Sequence, residues 1–385
     1  MNMKRRSISL CISLLLVLTG MSQEMLLGIW KDGRDTERFY HHSTEAVVWK
    51  VDGGKTITVP ANKTTYFTLD KGKVRISTAD KVLAHSTKAE RTTMGIYNLK
   101  GINPPRKEEK YNQPFKVTAN SKGLLLTGII LDFESYVAGV MESESGKEQG
   151  IEYYKVQALI CRTYALSNKR RHEHEGFNLC DQVHCQVYHG MSRFNPDIIE
   201  ASQITAGQVI VDSDMNLINA TFHSNCGGHT VNSEEVWSKA LPYLRAKEDT
   251  FCLEGKHATW ESQILRSAWF DYMEAKTGGM PENPSADLYS YKPSGRSTHF
   301  LLDDKSIPLK DIRSKWFLNS TYFEMAPDGE RLILKGRGFG HGVGLCQEGA
   351  MSMIRKGYSY QEALAFYYTD VHLVHLSVID FFKKN

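Results

Sequence analysis

Hydrophobic and polar positions alternate in short runs along residues 24–120. "EAVVWKVDGG", "KTITVPANK", "TTYFTLDKG" and "KVRISTADK" are each bounded by Gly, Asp, Asn or Pro. That pattern predicts close-spaced β-strands joined by tight turns. Residues 101–114, "GINPPRKEEKYNQP", are charged and proline-bearing and read as a linker or exposed loop, so a domain boundary is placed there. "FKVTANSKGLLLTGIIL" then predicts a strand pair. The period changes at "LDFESYVAGVMESESG", where Phe133, Tyr136, Val137, Val140 and Met141 follow the i, i+3, i+4, i+7, i+8 stripe of an amphipathic helix. Asp132 suits its N-cap and Gly146 its stop.

Helical phase separates the two acids at the end of this segment. At about 100° per residue, Glu144 falls about 20° from Phe133, on the apolar stripe, and Glu142 about 180° away, toward solvent. A carboxylate on a buried stripe is costly unless partnered or used, and burial pushes it toward the protonated form. If the helix stops before Glu144, the residue is an ordinary surface acid.

A second helix, "EYYKVQALICRTYALSNKRR", carries Lys155 and Arg162 seven positions apart on one face. Such a pair is ordinarily solvated charge. Residues 250–330 are mixed and give no clear period. "ERLILKGRGFGHGVGLCQEGAMSMIRKGYSYQEALAFYYTDVHLVHL" predicts a strand, a glycine-rich loop, two helices and a terminal strand. The chain thus reads as an N-terminal β-rich module, residues 23–113, followed by an α+β domain, residues 114–385.

Residues 1–22 change the picture of where the protein works. "MNMKRR" and the apolar "SISLCISLLLVLTG" have the form of a secretory signal too short to span a bilayer comfortably, with cleavage expected before Gln23. An uncleaved anchor is the competing reading. An exported protein of the periplasm or cell envelope is expected, with no membrane span once the signal is removed. The formal net charge is +3 for 385 residues. Removing Lys4, Arg5 and Arg6 takes it to zero, which gives no support to nucleic-acid binding. Of seven cysteines, six remain after cleavage. Cys226 and Cys252 could pair in an oxidising compartment, and Cys180 and Cys185 could pair or bind metal. Cys161 and Cys346 read as lone buried thiols.

Three segments hold candidate chemistry. "HEHEGFNLCDQVHCQVYHG" offers His172, His174, Cys180, His184, Cys185 and His189. Thiolates and imidazoles are preferred zinc ligands, and His174, Cys180 and Cys185 could hold one ion. "GRGFGHGVGLCQEGA" sets five glycines about His341 but lacks a phosphate-binding register. His341 is either a groove-lining donor or a loop-bonding structural residue. "FHSNCGGHT" brings His223 and Ser224 together without the nucleophile elbow of a serine hydrolase.

Taken in order, "SYVAGVMESES", "KVQALICRTYAL", "LCDQVHCQVYHG", "ATFHSNCGGHTVNSEEVW", "PYLRA" and "GRGFGHGVGLCQEGAMSM" resemble the stage II sporulation protein D / LytB (SpoIID/LytB) family. The family includes amidase enhancers and lytic transglycosylases of bacterial peptidoglycan. The resemblance spans about residues 114–375. It implies that Glu144 is the catalytic acid/base and that Lys155, Arg162, Tyr188, His223, Ser224 and His341 bind substrate. It also implies a structural zinc ion on His174, Cys180 and Cys185, and no organic cofactor. Ser145 stands where the family often has Met, and Cys226 and Cys346 stand where it has serine. Cys226 could pair with Cys346 or with Cys252, and the pairing with Cys252 is preferred.

The implied reaction cleaves the β-1,4 bond between N-acetylmuramic acid and N-acetylglucosamine, with a 1,6-anhydro end. It needs one acid rather than the two of ordinary glycosidases. The implied partners are glycan strands and a cell-wall amidase. A non-catalytic glycan binder that enhances such an amidase, and a zinc-dependent hydrolase, are the rival readings.

Overall fold

The computed structural model describes residues 25–146, 148–193, 195–279 and 286–383. The expected signal, residues 1–22, lies outside them.

The fold is α+β, with helices set against several sheets. The alternating runs do form strands. In Val47–Val51, Val47, Trp49 and Val51 are buried while Lys50 is exposed, as a period of two requires. The strands build two sheets that enclose an aromatic core. Trp49 of a seven-stranded sheet meets Phe67 of a six-stranded sheet at 4.8 Å between ring centroids, and Phe115 and His41 complete the cluster.

The boundary expected near residue 113 divides nothing. Strand Met25–Ile29 lies inside the seven-stranded sheet, antiparallel to Leu124–Ile130 and parallel to Leu179–Cys180. The supposed linker is itself an edge: Glu109–Tyr111 pairs with Tyr97–Asn103. Lys110 faces out while Tyr111 is fully buried and donates to the largely covered Glu109, so a charged composition hides a strand. One continuous core runs from Met25 to Tyr368.

Three helices carry the centre of the molecule: α1 (Phe133–Glu144), α2 (Ile151–Ser167) and α3 (Pro196–Ile204). As expected, the Asp132 side chain accepts from Ser135 N at the start of α1, and Glu144 is the last helical residue. Helix α2 is buried on nearly every side, from Tyr153 to Ala165, which makes it the core helix of the fold. Beyond it, strand Leu345–Cys346 pairs in parallel with Phe222–His223, leading into helix Gln347–Arg355.

The stretch that gave no clear period forms a compact module with its own core. Strands Thr259–Leu265, Arg331–Arg337 and Phe323–Asp328 make one sheet. Helices Arg266–Thr277 and Leu309–Trp316 bring Trp269 and Ile312 onto Phe300 and Leu334.

Candidate active site

The last turn of α1 and a neighbouring loop are stitched together by three consecutive side chains. Glu142 accepts from Ser192 Oγ at 2.8 Å and from Arg193 N. Ser143 Oγ accepts from His189 N at 3.0 Å, and Glu144 Oε1 accepts from Val187 N at 2.7 Å. Glu142 is therefore not the solvent-facing bystander that helical phase suggested; it anchors the 192–193 segment. The close approach also needs Gly139, where a Cβ would come within 2.5 Å of both Gly190 O and the Tyr188 ring.

Glu144 is partly buried and lines a cleft of about 520 Å³. The other walls include Tyr164, Arg171, His223, Ser224, Trp237 and His341, and Glu144 is the one carboxylate among the described lining residues. Burial pushes its carboxyl above the usual glutamate range, opposed by the Val187 N–H and the His189 charge. A larger hollow of about 940 Å³ adjoins through Trp237 and His341 and is lined by Glu234 and Glu235 as well as Arg296, Lys310 and Arg313. Together they make a groove.

The cleft is also lined by two histidines. His223 Nδ1 lies 3.1 Å from Val343 O, and Val343 N donates to His341 Nδ1 at 3.0 Å. The Nε2 of His223 is buried without a protein partner. Burial and the neighbouring His341 push His223 well below the ordinary histidine range, and burial with the Arg313 charge pulls His341 to about 4. Both rings are neutral near pH 7.

Glu144, His223, Ser224 and His341 are thus brought to one cleft, while three other expected residues are elsewhere. Arg162 is 0% exposed and forms a bidentate ion pair with Glu134 of α1, with further bonds to Gln208 O, Ser202 O and Thr205 Oγ1. These bonds lock α1, α2 and α3 together. Lys155 pairs with Glu152 at 2.5 Å and lies over the Tyr360 ring. Tyr188 is buried against Tyr136 and Tyr111. None of the three lines the cleft. Arg171 and Trp237 do, and sequence reasoning missed them. Arg171 sat in an ordinary basic run, whereas "EEVW" held a Trp that the structure leaves 39% exposed.

The expected metal ligands need one replacement. His172, Cys180, His184 and Cys185 place one donor atom each within 4.8 Å of one another. His172 Nε2 is 3.4 Å from Cys185 Sγ and 3.2 Å from His184 Nδ1. His174 instead points outward, 77% exposed, with Glu175 at 3.8 Å. The turn Glu173–Glu175 carries His174 outward, while His172, its N-cap, faces inward. Two thiols and two imidazoles fit zinc. His172 also binds Glu175 through Nδ1 at 2.5 Å, the carboxylate–histidine pairing that fixes a ligand's free nitrogen. His184 and Cys185 border the cleft.

Fold and cleft together define an α+β protein whose histidine-lined 520 Å³ cleft has Glu144 as its one carboxylate among the described lining residues. Residues 125–211 match the SpoIID, stage II sporulation protein, family model. The chain is 28% identical over 256 residues to stage II sporulation protein D of Bacillus subtilis, covering 62% of this chain and 73% of that one. It is 29% identical over 248 residues to an uncharacterized protein of Brachyspira hyodysenteriae, 63% of this chain and 67% of the relative. To the amidase enhancer of Bacillus subtilis it is 26% identical over 282 residues, 60% of this chain but 39% of that protein. These matches support the resemblance of the chain to the SpoIID/LytB family. No described helix is long and apolar enough to cross a membrane.

Proposed function

We propose that the protein is an exported peptidoglycan lytic transglycosylase with Glu144 as its acid and base. The observation that carries this reading is a partly buried glutamic acid, pushed toward its protonated form, as the one carboxylate among the described residues that line the smaller cleft. A carboxyl with a raised pKa can protonate a leaving oxygen near neutrality. Its proton passes to the glycosidic oxygen as the C1–O4 bond breaks. The carboxylate then takes the proton of the muramic C6 hydroxyl as O6 bonds to C1, which restores the acid and consumes no water. With no water to activate, no second carboxylate is required, unlike in ordinary glycosidases. Oε2 has no hydrogen-bond partner among the described residues.

His223 offers the sugar an acceptor and His341 a donor, and Trp237 offers an apolar face. His172, Cys180, His184 and Cys185 would hold zinc, which would serve as a cross-link between the loop and the sheet beside the cleft. Lys155 and Arg162 take no part in substrate contact in this reading.

The enhancer relative supports a second reading, in which the groove binds glycan and a partner amidase cuts. Incubation of purified protein with defined glycan strands, with and without stem peptides, separates the two. Products carrying 1,6-anhydromuramyl ends are expected. Binding without cleavage, accompanied by faster cutting by an added amidase, would favour the enhancer.

A further inference from the structure

Three cysteines distant in sequence converge with an acid behind the histidine wall. Cys226, Asp249, Cys252 and Cys346 are all buried, and each has a donor atom within 4.8 Å of the others'. Cys226 Sγ is 3.3 Å from Cys252 Sγ and 3.2 Å from Asp249 Oδ2. All three thiols are free. The disulfide expected between Cys226 and Cys252 is not formed, and Cys346 is not the lone thiol its context suggested.

A disulfide would also answer only half of the site. It would use two sulfurs and leave the third thiol and the fully buried Asp249 behind. Among the described residues Asp249 meets no cation. Its Oδ1 takes Phe251 N, and its Oδ2 takes Tyr367 OH at 2.9 Å. A buried carboxylate is costly unless paired or bound to a metal, and four converging donors of these types are a closed tetrahedral set.

We propose that Cys226, Asp249, Cys252 and Cys346 form a second zinc site, structural and separate from the His172 cluster. Zinc would displace the donors' protons to water on binding. The surroundings suit a thiolate-rich ion. Cys226 N and Gly349 N reach Cys346 Sγ at 3.3 and 3.4 Å. Cys346 is also the N-cap of helix Gln347–Arg355, where the aligned peptide dipoles favour negative charge. Arg296 donates to Cys226 O at 2.9 Å. Gly349 is required, since a Cβ there would come within 2.6 Å of Asp249 Oδ2. The ion would tie the loop after His223 to the turn at Thr250–Cys252 and to the segment after His341. It would brace the cleft wall whether the groove cleaves glycan or only binds it.

The test uses the full chain, purified in reducing buffer without chelator. Metal analysis of Cys180→Ser/Cys185→Ser, which lacks the other thiols of the first cluster, is expected to find one zinc per chain. Cobalt(II) replacement in the same variant is expected to give the intense sulfur-to-cobalt absorption of thiolate ligation, lost when Cys252→Ser is added. Wild type gives a readout independent of folding in the variants. Cys226, Cys252 and Cys346 should resist alkylation together, and react together once a strong chelator is present. A double variant without zinc, or wild type in which Cys226 and Cys252 become alkylable only after reduction, would overturn the proposal.

Discussion

His223 and His341 meet edge to face, 5.4 Å between ring centroids, and the backbone of one residue, Val343, sets the protonation of both. A carbonyl can only accept and an N–H can only donate. His223 must therefore carry its proton on Nδ1 and present a bare Nε2, while neutral His341 carries its proton on Nε2. Replacing His341 with Phe keeps a ring against Trp237 and removes the donor. A lost hydrogen bond of about 1–1.5 kcal/mol weakens glycan affinity roughly tenfold. Calorimetric titration with a defined oligosaccharide checks this, with unchanged affinity as the contrary result.

The same histidines make the fold sensitive to acid. Unfolded histidine takes up a proton near pH 6.5, whereas His341 resists it to about pH 4 and His223 further. The unfolded chain then binds more protons, so stability falls as pH drops from about 6.5 through His341's folded value. His341→Phe should flatten part of that fall. Melting temperatures of both proteins from pH 7.5 to 4.5 measure it, and parallel curves would contradict it.

Arg162 behaves as a structural lock. Truncation to Ala strands Glu134 and three acceptors, and removing one partner of a buried pair costs about 3–5 kcal/mol. Allowing for the partial exposure of Glu134, about 3 kcal/mol is expected. Lys155→Ala, which breaks a partly exposed pair, should cost less than about 1 kcal/mol. Denaturant unfolding gives both values. Glycan affinity of the folded protein should be unchanged in each.

Those two residues show where sequence reasoning stops. The strands, α1 and the position of Glu144 were legible because period and capping are local properties of the chain. Arg162 shares the face of Lys155, but its burial depends on Glu134 and on α3, thirty to forty residues away. The edge strand Glu109–Tyr111 was hidden because a charged run resembles a loop when the sheet beside it, and the His189 and Tyr111 partners of Glu109, are unknown. His174 had attractive spacing, yet one short helical turn decided which histidine faces Cys185. The convergence of Cys226, Asp249, Cys252 and Cys346 is wholly tertiary, so spacing carried no sign of it.

That choice of histidine is directly testable. His172→Ala should lower zinc content by close to one equivalent and reduce the melting temperature, while His174→Ala should change neither. Metal analysis with thermal unfolding of the two variants decides it. Zinc loss in His174→Ala alone would contradict the placement.

The account turns on Glu144, and Glu144→Gln tests it most directly. The wild-type carboxyl is held above its ordinary pKa by burial, so the folded state bears a cost once it ionises. That cost is present at neutral pH and vanishes below the usual glutamate range. The amide variant should therefore melt higher than wild type at pH 7 and equally near pH 4. It should bind glycan strands with similar affinity, and mass spectrometry of its digests should find no 1,6-anhydromuramyl ends where wild type makes them. Anhydromuramyl products formed by Glu144→Gln at the wild-type rate would contradict the central claim.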